Sequence, residues 1–89
     1  MAVGGEGVIV ATYSVHDDQP RIMANVPHPA RWLVKLWAST PYGKATDEIR
    51  NRQPCMLSEL LEIAAGRSEE MLAESPEYTG AGFTVVRLR

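Results

Sequence analysis

The sequence predicts a small α+β two-layer sandwich in the order β-β-α-(α)-α-β, a three-stranded, mostly antiparallel sheet with helices on one face. Three observations carry that prediction. A run at 8–15 rich in β-branched residues is followed by an alternating run at 21–26, a helical apolar stripe begins at Ala30, and the chain closes on a third β-like run at 83–89. Helices thereby cluster in the middle of the chain and strands at its ends.

The first run, Val-Ile-Val-Ala-Thr-Tyr-Ser-Val at 8–15, is apolar at both parities, which suits a strand covered on both sides. His16-Asp17-Asp18-Gln19-Pro20 is a polar turn, with Asp able to bond its own backbone and Pro fixing φ. Ile22, Ala24 and Val26 then alternate with Arg21, Met23 and Asn25, the period of a half-buried strand. Together these runs predict a β-hairpin.

Pro27-His28-Pro29 ends that strand, since proline cannot donate to a ladder. Ala30, Leu33, Val34 and Trp37 follow at i, i+3, i+4 and i+7, predicting a helix that Ser39-Thr40-Pro41-Tyr42-Gly43 stops. Thr46 before Asp47 and Glu48 reads as an N-cap opening a short basic helical stretch through Ile49, Arg50 and Arg52. Pro54 begins the next helix, with Leu57, Leu60, Leu61 and Ala64 on one face and Gly66 as its terminator. Ser68 caps a further turn or two carrying Met71 and Leu72, and Ser75-Pro76 breaks it. The edge of the sheet is expected at the first or the last strand, whose apolar character would invite pairing with another chain.

Composition narrows the class. The 89 residues make one domain, assigned to 8–89 behind a flexible glycine-containing lead at 1–7. At 45% hydrophobic and 22% charged with a net charge of −2, the chain is not a disordered tail. Cys55 is the only cysteine, which excludes an internal disulfide and a cysteine zinc cage. No apolar run reaches the roughly 20 residues that span a bilayer, and the first residues lack the basic and apolar regions of a secretory signal. A cytoplasmic protein is the expectation.

No constellation announces catalysis. Gly4-Gly5-Glu6-Gly7 precedes a strand, whereas a phosphate-cradling loop follows one and opens a helix. His16, Asp17 and Asp18 are metal-ligand types, but adjacent side chains diverge and His28 falls at the far end of the hairpin. Cys55 sits at a predicted helix start, where the dipole lowers a thiol pKa, yet no motif supplies its base. No catalytic residue, metal site or cofactor is assigned. The late helices are acidic (Glu59, Glu62, Glu69, Glu70, Glu74), which opposes DNA reading by a helix-turn-helix there.

What remains is surplus apolar and aromatic surface. Trp32, Leu36, Trp37, Tyr42 and Met23 exceed what the predicted layers can hide, and such residues are enriched at interface cores. They are the partner-interface candidates. Arg87, Arg89, Lys44, Arg50 and Arg52 form a candidate basic patch, with Arg87 and Arg89 projecting together from the last strand.

The expected function is a non-enzymatic interaction module, a regulator, adaptor or inhibitor that occupies a partner protein's surface. Its size suggests the stand-alone inhibitors that phage and mobile elements encode. A homodimer through sheet edges or the Trp32 face is also expected. The alternative is a small metal-dependent or Cys/His enzyme, and the weaker alternative is nucleic-acid binding by the basic strand face.

Overall fold

The computed structural model describes residues 7–88. Its elements are β1 (Ile9–Ser14), β2 (Arg21–Ile22), β3 (Trp32–Thr40), β4 (Gly43–Arg50), α1 (Leu57–Ala73) and β5 (Gly80–Arg87). All five strands form one sheet in the order β2-β1-β5-β3-β4, antiparallel at every pair. α1 packs across β5 and β3 on one face. The α+β class and the one-sided helical layer stand. Among the described residues the sheet has five strands instead of three, and one helix replaces several.

The largest correction lies at 30–40. The run expected as a helix is β3, the longest strand, and the basic stretch expected as a helical turn is β4. Between Trp32 and Ala38 nearly every residue is apolar, so helical and alternating patterns coexist in the same letters. Aromatic and β-branched content favours the strand, and packing completes the choice. Trp32, Val34, Leu36 and Ala38 face α1 and are buried, while Leu33, Lys35 and Trp37 point the other way. Pro41 and Tyr42 make the turn into β4, closed by the Thr40–Gly43 pair. Gly43 holds φ at +137°, a conformation that side-chain-bearing residues rarely adopt.

α1 runs unbroken for 17 residues through Gly66, so the expected terminator lies inside the helix. Its core face explains why. Leu57, Leu60, Ala64, Ser68 and Met71 recur every three or four residues, and burial of Met71 continues the stripe past the glycine. Ser68 is therefore no cap. Its buried hydroxyl donates to the Ala64 carbonyl at 3.0 Å. At the start of the helix the Glu59 carboxylate accepts the Met56 backbone N–H at 3.1 Å.

The β1–β2 hairpin forms as expected, with Ala11 opposite Ile22 and Thr12 opposite Arg21. The second arm is shorter than predicted. Met23 and Ala24 both direct their N–H groups at the Val10 carbonyl (2.8 and 3.3 Å), after which the chain leaves the sheet and buries Val26. The expected edges are corrected as well. β1 and β5 lie inside the sheet, and β2 and β4 end it. The lead expected at 1–7 falls outside the described residues except for Gly7, where a Cβ would collide with the Arg87 carbonyl. Among the described residues, no helix is long and apolar enough to cross a membrane.

Candidate partner-binding face

One face of the sheet carries α1; among the described residues, no second layer covers the other. Strand alternation sends Ile9, Thr84, Lys35, Trp37, Lys44 and Glu48 toward that open side. They line a shallow groove of about 860 Å³. Ile9 is 47% exposed at one end, while Val86 opposite it on β5 and Leu33 next along on β3 are buried. Charges gather toward β4, where Lys35 stands opposite Glu48, Ser39 opposite Lys44 and Leu33 opposite Arg50.

Trp37 marks the centre of the face. It lies directly across from Gly82, and a Cβ at that glycine would stand 2.8 Å from Trp37 Cζ2 and run into the Tyr13 carbonyl. The glycine therefore makes room for the indole to lie on β5. Lys44 Nζ sits 5.5 Å from the Trp37 ring centroid, a cation–π distance. At Gly80 the His16 ring also approaches, its Nε2 3.4 Å from where a Cβ would be. The indole is thus half-buried between a glycine floor and a lysine, with its remaining edge on the groove.

The five interface candidates do not form one patch. Trp32 and Leu36 are 0% and 1% exposed and belong to the core under α1, so neither can present a surface. The Trp32 indole N–H donates to the Cys55 carbonyl at 2.9 Å, which fixes the ring against the segment entering α1. Trp37 lines the open face, Tyr42 stands 86% exposed on the β3–β4 turn, and Met23 is exposed beyond β2 at the opposite side of the sheet. The mistaken placements share one cause: a helix would have turned Trp32 and Leu36 to its flank, and a strand turns them under the helix.

The basic candidates also divide. Lys44 and Arg50 share the open face with Lys35. Arg87 pairs in register with Trp32 and so has the opposite parity, Arg52 lies in the β4–α1 connection, and Arg89 is outside the described residues. Lys35, Ile9, Thr46, Glu48 and Thr84 are not among the site residues expected from the sequence. The alternation Lys44, Thr46, Glu48, Arg50 against Ala45 and Ile49 is the signal of an edge strand that could have found four residues of this face.

The candidate chemistry is dispersed. His16, Asp17 and Asp18 occupy the β1–β2 loop, where Asp17 Oδ2 accepts the Ser14 N–H at 3.2 Å. No group of three His, Cys, Asp or Glu side chains gathers with metal-ligand geometry among the described residues. Cys55 precedes α1 and bridges Ala30 through its backbone, with Sγ 3.5 Å from Asn51 Nδ2, an amide that cannot serve as a base. No protein family, curated protein or solved structure matches the chain, so its functional reading rests on these residues.

Proposed function

We propose that this chain is a non-enzymatic binding module that engages a partner protein through the open face of its sheet. The observation that carries the reading is a groove on the side of the sheet opposite α1, with Ile9 exposed at one end, a half-buried tryptophan at its centre and cations along one side. Interface cores are enriched in aromatic residues and bordered by polar rims, and this face has both. Polarity supports an acidic partner surface. Among the described residues, Lys44 and Arg50 give the β4 side of this face its cations, although the chain as a whole carries a net charge of −2. Such a module would act as a regulator, adaptor or inhibitor by occupying that partner's surface.

The experiment is affinity capture from the source cell with the wild-type chain, Ile9→Asp, Thr84→Glu and the control Glu62→Lys on the exposed side of α1. Loss of the same captured protein with both face variants, and its retention by the control, supports the reading. Retention by the face variants with loss by the control moves the site to the helix. The cations beside Trp37 also favour a second reading, single-stranded nucleic acid stacked on the indole. That reading expects an oligonucleotide to be retained with a steep loss on raising salt.

A further inference from the structure

The sheet ends differently at its two sides. At one edge β2 spans two residues between Pro20 and Pro27, which blunts it against pairing. At the other, β4 offers eight residues, Gly43–Arg50, with no proline and, among the described residues, no strand on its outer side. Such an edge has unused backbone donors and acceptors along its length.

We propose that β4 pairs antiparallel with β4 of a second copy about a two-fold axis through Thr46, joining two sheets into one. The charge order along β4 selects both the partner and the register. A two-fold at Thr46 sets Lys44 of each copy opposite Glu48 of the other, and Arg50 opposite the exposed Tyr42 ring of the turn. Glu48 already pairs in register with Lys35 of β3, so the row over the joint runs Lys35, Glu48, then Lys44 of the second copy, alternating in sign.

Neighbouring registers fail on the same residues. An axis at Asp47 opposes Asp47 to itself and Lys44 to Arg50, and an axis at Glu48 opposes Glu48 to itself. An axis at Ile49 shortens the ladder and runs into Asn51, whose side chain already binds Trp32, Ala30 and Gln53. An axis at Ala45 leaves every charge without an opposite partner. On the helix side of the Thr46 register Asp47 faces the small Ala45, and its charge is met within its own chain by Arg67 of α1 at 3.6 Å.

Assembly would also change the open face. Lys44, Thr46 and Glu48 line the groove from the β4 side, so pairing sets two grooves edge to edge across the axis, each bordered by residues of the other copy. The dimer and the partner reading share Lys44 and Arg50, but their tests stay distinguishable, because Ile9 and Thr84, varied for the partner, lie outside β4.

The test is sedimentation velocity of the full chain as wild type, Lys44→Glu and Glu48→Lys, and as an equimolar mixture of the two variants. Both positions are exposed, and circular dichroism verifies that each variant keeps its fold. The wild type is expected to dimerise, and either substitution should weaken the dimer by about tenfold or more, since two like-charge contacts arise per axis. The mixture should restore association, because one variant is acidic at both positions and the other basic at both. A wild type that stays monomeric at about 1 mM, a dimer indifferent to both substitutions, or a mixture no tighter than its components would overturn the proposal.

Discussion

Asn51 shows how much of this fold hangs on a single polar side chain. Its Oδ1 accepts the Trp32 backbone N–H at 2.7 Å, and its Nδ2 donates to the carbonyls of Gln53 (2.7 Å) and Ala30 (3.0 Å). Those groups belong to the start of β3 and the connection into α1, which the amide ties together beside the Ala30–Cys55 bridge. Asn51→Ala would leave the Trp32 N–H without its partner in a half-buried site, and a loss of about 1–3 kcal/mol of stability is expected by urea unfolding. Nothing in the local sequence marked Asn51, because the Trp32 and Ala30 groups it holds lie 19 and 21 residues away. Cys55 was legible only in part. Its neighbourhood at the entrance to α1 was foreseen, but its backbone carbonyl, accepting from Trp32, does the visible work.

At the scale of elements, α1 and the β1–β2 hairpin were readable, because each carries an unambiguous period or a polar turn. Gly66 was misread because a glycine after an apolar stripe is a local stop signal, whereas Ser68 and Met71 extend the buried stripe beyond it. A Cβ at Gly66 would meet nothing within 4 Å. Gly66→Ala should accordingly stabilise the protein by about 0.5–1 kcal/mol, read as a raised urea midpoint at unchanged slope. A fall in stability would return Gly66 to a role in bending or ending the helix. β3 was misread for a different reason. A segment buried on its helix side and half-covered on the other has apolar residues at both parities, and such a run fits a helical stripe equally well.

For the whole molecule, the two tryptophans separate stability from recognition. Trp32 is the largest fully buried side chain under α1, and Trp32→Ala is expected to cost about 3–5 kcal/mol, enough to unfold much of a domain this small. Ile9→Asp, on the open face, should leave the thermal midpoint within a few degrees of wild type. Equal destabilisation by both would mean that Ile9 belongs to the core and that the face is not a free surface. The candidate site was thus half legible. Trp37, Lys44 and Arg50 were chosen from the sequence and do share a face, while Trp32, Leu36 and Arg87 were chosen with them and turn to the other.

By itself the sequence determined the α+β class, the hairpin, the helix at 57–64 and the supply of aromatic and basic residues, all of which follow from composition and short-range period. The number of strands, their order and the identity of the edges were decided by tertiary structure, because strand pairing is set by partners far away in the chain. That pairing placed Trp32 beneath the helix and Trp37 on the open face, five residues apart and on opposite sides of one strand. The alternation of a strand, with side chains on opposite faces at every step, is the physical reason.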